Sequence, residues 1–219
     1  MPEKGGRPLR GKGERPLLFD AGFYRRYYVD ARTRVTSRAD ALRLGRFVCA
    51  YVDYLGFTVK RVLDAGCGLG HFRRAVQGHF PRARYVGLET SDYLCRRYGW
   101  VRGSIADHVP QEAFDLVFCH DVLQYLDDRE ATRALANLAR LSRGALYFSV
   151  LTAEDWRRNA DRGRTDGEGI RLRPAAWYKA RLARNFRPVG GGLLARRGCD
   201  PLLWELERPW GRCRIPGKP

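Results

Sequence analysis

The sequence predicts an α/β fold: a doubly wound, mostly parallel sheet that ends in an antiparallel hairpin. Three observations carry this expectation. From residue 60 onward, short apolar runs of β-forming residues alternate with segments of helical period. Alternate glycines stand at the first strand-to-helix switch, in VLDAGCGLGHF (62–72). The last two apolar runs, PVGGGLLARR and DPLLWELE, are separated by too short a turn for a crossover, so they pair antiparallel.

Along the chain, residues 1–16 are rich in Gly, Pro and charge and are expected to be a disordered basic tail. LLFDAGFYRRYYVD (17–30) changes character, with Phe19, Phe23, Tyr24, Tyr27 and Tyr28 close to helical spacing. Ser37 is placed to cap a helix with apolar positions at Ala41, Leu42, Val48, Tyr51, Val52 and Leu55, and Gly56 ends it. RVLDAG then reads as a buried strand and HFRRAVQGHF as a helix. ARYVGLE (83–89) is a second strand, SDYLCRRYG a helix and WVRGSI a short third strand. A fourth strand begins at Phe114 and turns near His120. DDREATRALANLARLSRG is an amphipathic helix with Gly144 as its expected stop, and ALYFSVL is another buried strand. Residues 152–173 are polar, glycine-bearing and long for a plain connection, which marks a lid. PAAWYKARLARNF opens a helix after Pro174. One domain over 17–210 is expected, with lid helices at 17–57 and a tail at 211–219.

Bulk properties bound the function. At 219 residues the chain suffices for one sizeable core. No apolar run of about 18 residues and no secretory signal is seen, so no membrane partner and a cytoplasmic place are expected. The cysteines at 49, 67, 95, 119, 199 and 213 form no C-x-x-C pair, so reduced structural thiols are expected, and no metal site. The net charge is +17, almost all of it from arginine, since Lys occurs only at 4, 12, 60, 179 and 218. The arginines are dispersed rather than gathered into a basic stripe with aromatics. A nucleic-acid partner is therefore the alternative to a small-molecule one, not the first choice.

The glycine loop would sit at the carboxyl edge of the sheet, where doubly wound folds bind ligands. A phosphate-binding P-loop needs Gly-Lys-Ser/Thr; here His71 and Phe72 follow Gly70. A dinucleotide fingerprint is G-x-G-x-x-G, one residue longer than the G-x-G-x-G found. Glu89 closes the second strand, where a carboxylate accepts both hydroxyls of an adenosine ribose. Asp64, just ahead of the loop, would repel a pyrophosphate and attract an ammonium.

DAGCGLG with YVGLE and FDLVFCHDVLQYL resembles the class I S-adenosylmethionine-dependent methyltransferases, closely over residues 60–150. The resemblance implies a Rossmann-like, seven-stranded sheet with an antiparallel last strand, S-adenosyl-L-methionine as cofactor, and methyl transfer to a small-molecule acceptor. By position, it gives Gly66, Cys67, Gly68 and Gly70 to the methionine and ribose, Asp64 to the amino group and Glu89 to the ribose hydroxyls. Thr90, Ser104 and Ile105 would flank adenine, and Cys119, His120 and Val122 would line the methyl-donor side. His120 is the candidate general base, since an imidazole's ordinary pKa of about 6.5 suits proton transfer near neutrality; a plain wall residue is its competing role. Tyr24, Tyr28, Trp156, Trp177 and Tyr178 are candidates for an aromatic wall around the acceptor. Arg164, Arg171 and Arg173 are placed to hold an anionic one. The N/D-P-P-Y/F run of base-methylating enzymes and the Lys–Asp–Lys–Glu set of ribose-methylating enzymes are both missing. RNA or protein methylation, and a non-catalytic S-adenosylmethionine-binding regulator, are the alternatives.

Overall fold

Val62, Leu63, Asp64 and Ala65 are all buried, as a central parallel strand covered on both faces requires. The computed structural model describes residues 19–165, 167 and 169–208; the expected tails at 1–16 and 211–219 lie outside them. In chain order the strands are β1 (Arg61–Ala65), β2 (Arg84–Glu89), β3 (Val101–Arg102), β4 (Phe114–His120), β5 (Ser142–Ser149), β6 (Phe186–Gly190) and β7 (Leu193–Arg196). They make one seven-stranded sheet in the order β3-β2-β1-β4-β5-β7-β6. Strands β1 to β5 run parallel, and β7 is antiparallel to both its neighbours. This is the Rossmann-like arrangement expected. The order reverses between β1 and β4, so their carboxyl ends flank a natural ligand crevice.

The helices are α1 (Ala21–Tyr24), which continues into a π-helical turn at Arg25–Val29, α2 (Arg38–Tyr54), α3 (His71–His79), α4 (Asp92–Tyr98), α5 (Asp128–Leu141), α6 (Ala153–Arg158) and α7 (Ala175–Leu182). Ser37 caps α2 by accepting from the Asp40 backbone N–H, and Ser91 caps α4 in the same way. Asp127 and Glu130 close a reciprocal capping box on α5. Val48, Val52, Phe72 and Val76 of α2 and α3 pack on one face of the sheet with Leu116 and Phe118. Leu135, Leu138 and Leu182 of α5 and α7 pack on the other with Val117 and Leu146. The period of two along β4 thus deals alternate side chains to two cores. Among the described residues, no helix is long and apolar enough to cross a membrane.

Two expectations are corrected. The hairpin lies one unit earlier than DPLLWELE: it is β6–β7, with Phe186 opposite Arg196 and Pro188 opposite Leu194. Three glycines at positive φ, Gly190 to Gly192, make the turn inside what reads as a single apolar run. DPLLWELE instead forms an extended segment with a 3₁₀ turn at Glu205–Glu207, held where the Leu202 N–H donates to the Leu55 carbonyl at 3.0 Å. Gly144 is not the stop of α5 either. The helix ends at Leu141, β5 starts at Ser142, and Gly144 lies inside the strand. A Cβ there would stand 2.4 Å from the Asp115 carbonyl oxygen, at the irregular register between β4 and β5. Close strand approach, not a helix cap, selects glycine.

Candidate functional site

The loop between β1 and α3 turns on glycines at positive φ. At Gly66 the requirement is double: φ is +72°, and a Cβ would meet the Val122 side chain at 2.4 Å. Backbone bonds dock the loop on β2: Gly66 and Cys67 N–H donate to the Leu88 carbonyl at 2.8 and 3.1 Å. Glu89 ties it further. Its Oε2 accepts the Gly68 N–H at 2.8 Å, and its Oε1 accepts those of Thr90 and Ser91 at 2.8 and 3.0 Å. A buried carboxylate with three backbone donors is oriented before any ligand arrives. Asp64 is also buried, at the end of β1, and accepts a short hydrogen bond from the Tyr85 hydroxyl. Burial pushes Asp64 up to about 7, against the lowering effect of Tyr85, and the nearby Glu89 charge adds to the rise. A fixed carboxylate in this state gains by meeting a cation.

These groups face a cavity of about 850 Å³ at the carboxyl edge. Its charge opposes that of the whole chain. The carboxylates of Asp20, Asp40, Asp64, Glu89, Asp92, Asp121 and Glu130 line it, against one arginine, Arg96, and two histidines, His71 and His120. A protein of net charge +17 has put its surplus arginine elsewhere. The cavity favours a cationic ligand and disfavours a pyrophosphate or a nucleic-acid backbone.

Most of the residues expected at the site do line it: Asp64, Gly66, Cys67, Gly68, Glu89 and Thr90, then Ser104, Ile105, His120 and Val122. Gly70 stands just behind, at the N-terminus of α3, against the Trp100 ring. Tyr24 and Tyr28 also line the cavity, and Tyr24 packs over Gly68. The aromatic N-terminal turn is held there by the Ser91 hydroxyl, which donates to the Phe19 carbonyl. α2 is scaffold over most of its length, with Val48, Cys49 and Val52 in the core.

Five expected residues go elsewhere. Cys119 is fully buried among core residues on the α5 side, because strand alternation turns it away from His120 and the cavity. Trp177 and Tyr178 pack α7 onto the sheet. The Tyr178 ring meets Phe148 and its hydroxyl accepts from Arg173 at 3.2 Å, while Trp177 lies under the guanidinium groups of Arg173 and Arg181. Trp156, on α6, meets Arg162 and does not line the cavity. Arg173 is a strut, not an anion holder. It is 4% exposed and donates to Asp128 and to the Leu123 and Leu126 carbonyls, which consumes its fork.

Other residues here were not singled out from sequence. Trp100 donates from its indole to the Gly68 carbonyl at 2.9 Å, bracing the loop. Asn137 of α5 donates to the Ile105 and His108 carbonyls, both at 2.7 Å, and so holds the loop expected beside adenine. Asp121 is the one non-glycine residue at positive φ (55°) among those described. Its N–H donates to the Ser149 carbonyl at 2.9 Å, and its carboxylate faces His120 Nε2 at 3.4 Å. A polar helix residue and a lone left-handed aspartate carry no periodic signal.

Fold and site together define an α/β protein of the Rossmann-like class with an acidic ligand crevice at the carboxyl edge of its sheet. The family described as "Methyltransferase domain" matches residues 39–191, and the chain belongs to it. Among curated proteins it is similar to trans-aconitate 2-methyltransferase of Escherichia coli O17:K52:H18, with 24% identity over 67% of this chain and 59% of the relative. It thus spans less than two thirds of the length of that relative. Among solved structures it shares its fold with magnesium protoporphyrin IX methyltransferase of Synechocystis PCC 6803 with bound S-adenosylmethionine. That match has TM-score 0.55 and 20% identity, over 80% of this chain and 91% of the other. A second is the N-methyltransferase NodS of Bradyrhizobium japonicum WM9 in complex with S-adenosyl-l-homocysteine, with TM-score 0.53 and 18% identity over 71% and 87%.

Proposed function

We propose that the chain is an S-adenosylmethionine-dependent methyltransferase acting on a small molecule. The observation that carries this is the acidic crevice in a strongly basic protein, since the cofactor brings both an ammonium and a sulfonium. Asp64 holds the ammonium, Glu89 takes the ribose hydroxyls, and Gly66 to Gly68 let the backbone approach. Thr90, Ser104 and Ile105 flank the adenine, and His120 and Val122 close the donor side. When bound, the cofactor supplies an activated methyl carbon with a sulfur leaving group, so the protein's task is alignment and exclusion of water. The tricarboxylate named for the curated relatives is not carried over to this chain. A cytoplasmic place belongs to the same reading, since the spacing of the six cysteines suggests no disulfide framework.

Calorimetry with S-adenosylmethionine, its demethylated product and NAD tests the proposal. The first two are expected to bind and NAD not; NAD binding alone overturns it. Glu89→Ala is expected to weaken product binding by ~1–3 kcal/mol through lost buried hydrogen bonds.

A further inference from the structure

A second cavity, of about 490 Å³, opens from the first. The two share Tyr28, Val35, Asp121 and Tyr125, so these mark the junction. Segment 149–165 closes its far side, from the end of β5 through α6. We infer that this second cavity is the acceptor subsite and that it takes a molecule bearing an amino group, recognised as the hydrogen-bond-donating ammonium. The ammonium releases its proton to the Asp121–His120 pair or to water before its nitrogen can take a methyl group. The inference rests on the methyltransferase reading and names the substrate class of that site.

Two independent observations carry it. The first is an orphaned acceptor: Gln124 is 4% exposed, lines the cavity, and its Oε1 is buried with no hydrogen-bond partner. A buried carbonyl oxygen in that state asks for an N–H or O–H from a ligand. The second is charge. Asp121, Asp155 and Asp161 line the cavity against Arg164 alone. Asp155 is engaged in capping α6 and by Asn159, and Asp161 faces Arg164 at 3.7 Å. Asp121, at the junction, faces the neutral-or-cationic imidazole of His120 at 3.4 Å rather than an arginine, and its carboxylate sets the sign of the site. A carboxylate-bearing acceptor would meet three lining carboxylates against one lining arginine, Arg164, which already faces Asp161 at 3.7 Å. An amine satisfies both Asp121 and Gln124.

The test uses the full chain saturated with S-adenosylhomocysteine, titrated with three probes of one shape: 2-phenylethylamine, 2-phenylethanol and phenylacetate. The amine is expected to bind about tenfold more tightly than the alcohol, as a charge-assisted hydrogen bond gives, and phenylacetate more weakly still. Asp121→Asn keeps a residue that tolerates left-handed backbone and is expected to remove most of that preference. Gln124→Met is expected to lower amine affinity with product affinity retained. Equal or tighter binding of the alcohol or carboxylate, a preference that survives Asp121→Asn, or no amine saturation at millimolar concentration overturns the inference while product binding stands. Failure of S-adenosylhomocysteine itself to bind sinks the methyltransferase reading beneath it.

Discussion

Replacing Asp64 with Asn separates what this carboxylate does for the ligand from what it does to the fold. Burial pushes it from 3.8 up to about 7. That is about three units, at about 1.4 kcal/mol each, so the ionised form destabilises the unliganded protein by about 4 kcal/mol. The folded state holds the proton that the unfolded chain has released. The contribution of Asp64 to stability is therefore full below about pH 4 and is lost as the pH rises to about 7. Asn accepts the same Tyr85 hydrogen bond and has no charge to desolvate, so this component of the pH dependence vanishes. Denaturant unfolding from pH 5 to pH 8 is expected to show Asp64→Asn gaining on wild type with rising pH, approaching several kcal/mol at pH 8. Calorimetry at pH 8 is expected to show the opposite for the ligand. Loss of the charged partner weakens S-adenosylhomocysteine by ~1.5–3 kcal/mol, about 10- to 150-fold. Parallel stability profiles, or unchanged ligand affinity, refute the reasoning.

Gly66→Ala forces a left-handed alanine against Val122 and is expected to lower product affinity at least tenfold while far-UV circular dichroism stays native; normal affinity would show that the loop has room to spare. Arg173→Ala strands the Leu123 and Leu126 carbonyls and is expected to cost ~2–4 kcal/mol of stability by urea unfolding, without changing which charge of acceptor binds. Were acceptor preference to move instead, Arg173 would belong to the site after all. His120→Gln keeps a polar group beside Asp121. A drop of about 10²-fold or more in turnover at unchanged product affinity would mark His120 as a general base, whereas near-normal turnover marks it as cavity wall.

The sequence by itself determined the alternation of strands and helices, the cap at Ser37, and the glycine loop with Asp64 and Glu89. These are local signals: a period, a cap and a glycine loop each act within a few residues of chain. It misplaced the hairpin because a turn inside an apolar run looks continuous until three glycines adopt positive φ. It put Trp156, Trp177 and Tyr178 at the acceptor because residue type does not tell an aromatic that packs from one that lines. Only the tertiary structure decided which charges meet. Thirty-six arginines and five lysines leave the crevice acidic, because β1, β2 and β4 bring carboxylates from distant segments to one edge. The left-handed Asp121, the orphaned Gln124 oxygen and the Asn137 clamp on Ile105 are equally products of that convergence. Charge and hydrogen bonding depend on which groups converge in space, and no spacing along the chain records that.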